Sequence, residues 1–401
     1  MNIIKKYTLA ATGMVFLICC TADGGGELLP GTFLVKAETL AANKRKIKSG
    51  DRPLAEALEE IKADAAKALV HGPYSVTYKS KTPPSGDKHD YMSVGPYWWP
   101  DPSKPDGLPY IRKDGEVNPE RYAVKDAEYF KDLCRDVSLL SAAWFYTDEE
   151  RYAAKAVELL RIWFLDEETR MNPNLNYGQA IPGHTDGRGI GLIDTRGFAE
   201  LADGIQLLKN SGALTDGMYR QLQEWFARYL EWITTSPIGL DEADEHNNHG
   251  TYYDVQTVSL SLFTGQRERA ARILQTQTCP RIESQLAEDG SQPHELARTL
   301  SCSYSQMNLA GFFALAALAE NTDVDLWNYV SPGGKSIRAA FFWLLPYAEG
   351  KAEWTHQQIK PADFTEFAEL SHIAAAKYPG EAVSAYAAGR RTKNALFILT
   401  H

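Results

Sequence analysis

Two short stretches of this chain concentrate side chains that can move protons or hold an anion. The first, EHNNHGTYYDVQ at residues 245 to 256, crowds two histidines, two asparagines and two tyrosines just before an apolar run. The second, HELARTLSCSYSQMNL at residues 294 to 309, carries Arg298 and Tyr304 near the same edge of a helix-forming segment. His249 has a near-neutral reference pKa and can act as a base. Tyr304, at a reference value of about 10, can donate a proton, or accept one if neighbouring cations depress that value. Each feature has a plainer explanation. An Asn can cap the helix that starts here, though one cap does not account for His246, Asn247, Asn248 and His249 together. His246 and His249 could ligate a metal, but no third His or Cys follows at ligand spacing. A lone Tyr304 would be read as a core tyrosine with a satisfied hydroxyl. Together, His249, Asn248, Arg298 and Tyr304 form a candidate catalytic set.

These residues must be positioned by helices. Apolar residues recur at three- and four-residue spacing in RPLAEALEEIKADAAKAL, 52 to 69, the pattern of an amphipathic helix. Similar patterns predict helices near 123–146, 149–165, 194–210, 215–234, 250–264, 266–282, 292–319, 335–347 and 361–377. Short connections with Gly, Pro, Asp or Asn imply antiparallel hairpins, and this many stacked hairpins should curl into a toroid. No alternating run is long enough for a large sheet. The expected architecture is all-α: a single (α/α) toroid domain, an incomplete barrel, over residues 23 to 401.

Two segments interrupt the helices: 71 to 120, rich in Pro, Gly and aromatics, and 167 to 193, rich in Asn, Gly and polar groups. Long ordered loops in a compact domain usually carry function. Tyr97, Trp98 and Trp99 are rigid platforms on which pyranose rings could stack, with Tyr91 and Tyr110 extending the row; either Trp could instead pin the loop to the body. Arg112, Lys113, Arg188 and Arg196 are candidates for binding carboxylates, and Arg196 could equally pair with Asp194. GRGIG, 187 to 191, follows no strand and fits no phosphate-loop spacing. Trp354 and His356, in EWTHQQI, could close one cleft wall. Tyr253 and His294 join the substrate-binding candidates from within the two motifs.

The chain begins with Lys5 and Lys6, then an apolar run from about Leu9 to Ile18, then small residues. That order reads as an export signal over residues 1 to 22, too short to be a permanent membrane span. Leu17-Ile18-Cys19-Cys20 also resembles a bacterial lipoprotein box, with Cys20 as the lipid carrier. The expected location is therefore the periplasm, or the outer membrane of a Gram-negative bacterium. Three other cysteines, Cys134, Cys279 and Cys302, allow at most one disulfide, so the fold must rest on its core. A net charge of −10 argues against a nucleic-acid partner, though a local Arg and Lys cluster can still bind an acidic substrate. The sequence sets no oligomeric state. Nothing in it calls for a cofactor, and a structural metal stays open.

NNHG, followed by ELAR and SYSQMNL, resembles the alginate lyase superfamily of helical-toroid polysaccharide lyases. The segment YMSVGPYWWPDPSKPDGLPYIRKDGEVNPE is similar to the secreted branch containing polysaccharide lyase family 38 more than to family 5. The likeness spans about residues 35 to 375. It departs at one point: the family's Arg-to-Tyr interval is one residue longer, with His before the Tyr, where this chain has Ser303. The resemblance implies cleavage of a 1,4-linked polyuronate, alginate or glucuronan, by β-elimination. The C5 proton, α to a carboxylate, is removed and the C4 oxygen expelled. Donors aimed at that carboxylate lower the barrier; Asn248 would serve, with Arg298, Gln179 or His184 as helpers. His249 and Tyr304 would share acid–base work. When proton and leaving group lie on opposite faces, His takes the proton and Tyr donates; when they share a face, Tyr does both.

Two other functions compete. A toroidal glycoside hydrolase would use two carboxylates, for which Asp194, Glu242, Asp244, Glu245 and Glu295 are candidates. A noncatalytic glycan-binding lipoprotein would use the aromatic platforms but would not need His249 and Tyr304.

Overall fold

The computed structural model describes residues 29–390 and 392–401. The expected export signal and Cys20 lie outside the described residues. The helices are α1 (Ala37–Lys48), α2 (Arg52–Ala68), α3 (Asp126–Thr147), α4 (Glu150–Phe164), α5 (Phe198–Leu208), α6 (Asp216–Thr235), α7 (Pro237–Ala243) and α8 (Asn248–Phe263). They continue as α9 (Arg267–Ile273), α10 (Cys279–Gln285), α11 (Pro293–Leu296), α12 (Ser301–Ala319), α13 (Ile337–Ala348), α14 (Thr365–Lys377), α15 (Glu381–Gly389) and α16 (Ala395–Thr400). The strands form two small sheets. β1 (Met92–Val94) pairs in parallel with β4 (Tyr177–Ala180), and β2 (Trp98–Trp99) pairs antiparallel with β3 (Ile111–Arg112).

The expected (α/α) toroid is the observed fold. Local chemistry starts the helices where polar caps stand: Asp51 accepts from the Leu54 amide, Thr215 from Met218, and Ser336 from Ala339. α3, α5, α8 and α12 pack one on the next as an inner wall, with α4, α6 and α9 outside them. α8 and α12 bury residues all round, as inner helices must. Gly197 meets Phe130 and Cys134, and Gly204 meets Val137 and Ser141, so α3 and α5 run the same way. Asn248 meets Glu295 in α11, just before α12, and Tyr252, a turn further along α8, meets Met307 within α12. The N-termini of α8 and α12 therefore open at one end, where the long loops gather.

Two apolar clusters hold this frame. One centres on Phe130, Trp163, Phe198, Trp225 and Phe226, the other on Phe312, Phe313, Phe341 and Phe367. Cys134, Cys279 and Cys302 are all free thiols. No helix among the described residues is long and apolar enough to cross a membrane. The segment expected as one helix over 292–319 is broken: α11 ends at Leu296 and α12 starts at Ser301. Arg298 thus sits in the link before Tyr304's helix, not on its face.

Candidate active site

His249 lies in the first turn of α8, and the preceding Asn247 caps that helix by accepting from the His249 amide at 2.9 Å. The His249 Nδ1 is 3.0 Å from Glu242 Oε1. Glu242, at the end of α7, is fully buried, and its second oxygen has no partner. Burial pushes this carboxyl above its ordinary range, while the adjacent His249 opposes the rise. Such a partner fixes the ring's orientation and tautomer, leaving Nε2 for chemistry. Glu242 was considered above only as a hydrolase acid. No spacing rule links it to His249, because the chain turns between α7 and α8.

Tyr304, in the first turn of α12, shares a 2.8 Å hydrogen bond with the Tyr97 hydroxyl. The Arg298 guanidinium lies 3.8 Å from the Tyr304 ring centroid, a cation–π contact. Burial, the largest influence, pushes the phenol above the ordinary tyrosine range, with Arg298 pulling the other way.

Two expected anion-binding groups are already engaged. Arg298 is held bidentate by Asp114, at 2.8 and 3.1 Å. Asp114 also accepts from the Thr299 amide and hydroxyl and pairs with Arg112. Burial alone would raise Asp114, but its bonds to Arg298 and Thr299 hold it well below the usual carboxylate range. Asn248 donates its side-chain amide to both oxygens of the buried Glu295, at 3.1 and 2.9 Å, and its backbone N–H to the same group. The Asn248 Oδ1 is left buried without a partner.

The loop residues form a second layer. Gln179 takes a left-handed backbone, φ 48°, a strained conformation for a non-glycine residue. Its side chain donates to Asp194 at 2.9 Å, while its two oxygens each accept from Arg188 at 3.1 Å. Asp194 also accepts from Tyr91 and Ser93 and forms no pair with Arg196, whose guanidinium lies over the Tyr252 ring. GRGIG is a packing device. A Cβ at Gly187 would fall 2.0 Å from the Asn176 carbonyl oxygen, and one at Gly191 would fall 2.4 Å from that of Gly178. One at Gly189 would fall 2.6 Å from the Glu242 amide. Only bare backbone lets this loop press against β4 and α7 and carry Arg188 inward.

The structure corrects several binding assignments. Arg188 and His184 pack on Trp98, and Lys113 lies over Trp99, whose Nε1 donates to the Glu116 carbonyl; both rings are half-buried. His184 itself is tied to the Tyr110 carbonyl. Tyr253 is core, 2 % exposed, with its hydroxyl on the Ile233 carbonyl, so it binds no substrate. His294 is exposed against His246, ring centroids 4.5 Å apart. Trp354 donates to Ser301, and the Gln357 carbonyl accepts from the same hydroxyl, so this segment clasps the start of α12. His356 packs on Trp354 and Trp343. Among the described residues no group of three or more His, Cys, Asp or Glu is placed to hold a metal ion. The proposed hydrolase acids Glu242, Glu295 and Asp194 are each committed to a neighbour.

Residues 75–354 match the family model for alginate lyase. The chain belongs to the alginate lyase family. It is a polysaccharide lyase. An alginate lyase from Bacteroides ovatus superposes with a TM-score of 0.88 at 42% identity, over 93% of this chain and 99% of that one. Alginate lyase A1-III from Sphingomonas species A1 gives 0.57 at 17% identity, over 87% and 89%. A substituted A1-III complexed with a tetrasaccharide gives 0.59 at 16%, over 88% and 91%. At such low identity the A1-III likeness is one of fold. A search of curated proteins returns no match. On the first turns of the neighbouring inner helices α8 and α12 stand one imidazole, His249, and one phenol, Tyr304.

Proposed function

We propose that this chain cleaves a 1,4-linked polyuronate, alginate or glucuronan, by β-elimination, with His249 as base and Tyr304 as acid. The observation that carries this reading is the pairing of a carboxylate-backed imidazole with an arginine-capped, protonated phenol at the same mouth of the toroid. The buried Glu242 stabilises positive charge that develops on His249 as it takes the C5 proton. The phenol then supplies a proton to the departing C4 oxygen, and the Tyr97 hydroxyl at 2.8 Å keeps it aligned. Arg298, fixed by Asp114, stabilises the phenolate that forms. This division of labour, with the base and the acid on different side chains, suits substrates whose C5 proton and C4 oxygen lie on opposite faces, as in guluronate. Mannuronate, the C5 epimer of guluronate, and glucuronate present both on one face and would require Tyr304 to act first as base.

Export to the periplasm, or attachment to the outer membrane through Cys20, would bring the enzyme to such polymers. The test is ultraviolet absorbance of the unsaturated product during incubation with guluronate-rich and mannuronate-rich alginate, glucuronan and a neutral glucan. Absorbance should rise on a polyuronate, fastest on guluronate blocks, and vanish in Tyr304→Phe. New reducing ends without absorbance would mean hydrolysis and sink the assignment. Retained polymer binding without either signal would mean a binding protein.

A further inference from the structure

Glu242 and His249 sit on opposite sides of one chain turn, Glu242 at the end of α7 and His249 in the first turn of α8. The 3.0 Å contact between them tolerates little movement, because a hydrogen bond weakens steeply with distance and angle. Something must therefore hold that turn. The last carbonyls of a helix need donors from outside it, and here they come from Arg281 on α10. Its Nη2 donates to the Ala243 carbonyl at 2.5 Å and its Nη1 to the Glu245 carbonyl at 2.7 Å. Its Nε donates at 2.9 Å to Asp254, further along α8 than His249. One planar guanidinium thus ties the end of the helix that carries Glu242 to the body of the helix that carries His249.

The surroundings are built to this strut. A Cβ at Gly250, the residue after His249, would fall 2.1 Å from the Glu245 carbonyl oxygen and 2.2 Å from Arg281 Nη1. Glycine weakens a helix, so this one makes room for the arginine beneath the turn. Gln285, one turn along α10 from Arg281, donates to the Asn247 carbonyl at 3.1 Å, and the Asn247 side chain holds the His249 amide. Asp254 is fully buried and also accepts from Thr278 at 2.9 Å, which steadies the far end of the strut. A buried ion pair adds little net stability once both charges have been dehydrated; its directional donors supply fixed geometry. Arg281 is itself buried and each of its three nitrogens is engaged with the protein, so it acts through its neighbours and not on substrate.

We propose that Arg281 is a positioning residue for the elimination, which with Asp254 and Gly250 sets the distance and angle between Glu242 and His249. The role rests on the lyase reading above, in which His249 is the base and Glu242 the charge behind it. Lysine at this position would keep a positive charge beside Asp254. A single ammonium on a flexible stem cannot, however, hold two backbone carbonyls at a fixed spacing.

The test compares full-length wild type, Arg281→Lys, Glu242→Gln and the double variant on the preferred polyuronate, each checked by a thermal melt. Arg281→Lys should lower kcat by about 10- to 100-fold with KM little changed, the effect of a misplaced catalytic group. In the Glu242→Gln background the same change should cost at most about 3-fold, because the charge that Arg281 positions is already gone and members of one network do not add. A folded Arg281→Lys with full kcat overturns the proposal. So do losses that multiply in the double variant, which mark a general structural effect. Gly250→Ala keeps both charges and displaces the Glu245 carbonyl, and it carries the same cycle if Arg281→Lys does not fold. The pair is also read without substrate, by proton NMR of protein with isotope-labelled histidine. The His249 Nδ1 proton, identified by its loss in His249→Ala, should resonate far downfield in wild type and move upfield in Arg281→Lys; an unmoved signal overturns the proposal. A wild type that gives no unsaturated product from any polyuronate overturns the lyase reading, while the proton signal still decides whether Arg281 sets the pair.

Discussion

Replacing Glu242 by Gln isolates the charge behind His249. Glutamine has nearly the same shape, and its amide oxygen can still accept from Nδ1 across the 3.0 Å now spanned by the carboxylate. What disappears is a buried negative charge. Two unit charges about 4 Å apart interact by roughly 4 kcal/mol at an effective dielectric near 20. The amide dipole keeps part of this, and the proton transfer only partly develops charge on the ring, so about 1–3 kcal/mol of transition-state stabilisation should go. That corresponds to a fall in kcat of about 5- to 150-fold. KM should stay nearly constant, because Glu242 is fully buried and touches no substrate. Burial already penalises the Glu242 carboxylate, so the neutral amide should leave the protein as stable or slightly more so. Steady-state rates on the preferred polyuronate, with a thermal melt of each protein, separate the cases. An unchanged kcat in a fully folded variant would refute the role of Glu242, and with it the assignment of His249 as base.

Two further substitutions probe the frame. Asp114→Asn should lower stability by about 1–3 kcal/mol at neutral pH, since it leaves the half-buried Arg298 without its charge partner. Because the folded-state pKa of Asp114 is depressed, the stability it contributes is present above the unfolded value of about 4 and is lost as pH falls below it. The gap between wild type and variant in urea melts should therefore shrink in acid; a gap that persists would refute the ion-pair account. Gly191→Ala, whose Cβ would meet the Gly178 backbone at 2.4 Å, should cost about 1–3 kcal/mol through overpacking. It should also reduce activity by displacing Arg188; a neutral effect on both would show the loop to be slack.

The sequence alone was enough to read most of the long helices, because apolar spacing reports local amphipathicity and caps such as Asp51 and Thr215 mark their own helix starts, but it ran α11 and α12 together. It also pointed to His249 and Tyr304, since an imidazole and a phenol at the starts of two apolar helices have few other uses. Partnership was decided only by the tertiary structure. Glu242 and His249 are seven residues apart across a turn, while Arg298 and Asp114 are 184 apart. No periodicity encodes contacts of either kind. Burial then determined which groups were free to act. Asn248 and Arg298 look like open donors in sequence and are hydrogen-bonded in the fold, Tyr253 looks polar and is core, and Trp98 has Arg188 and His184 packed against it. GRGIG shows the same limit: its glycines are required by a backbone from elsewhere in the chain, at distances set by packing. A side chain's type is written in the sequence, but its availability depends on what the folded chain brings against it.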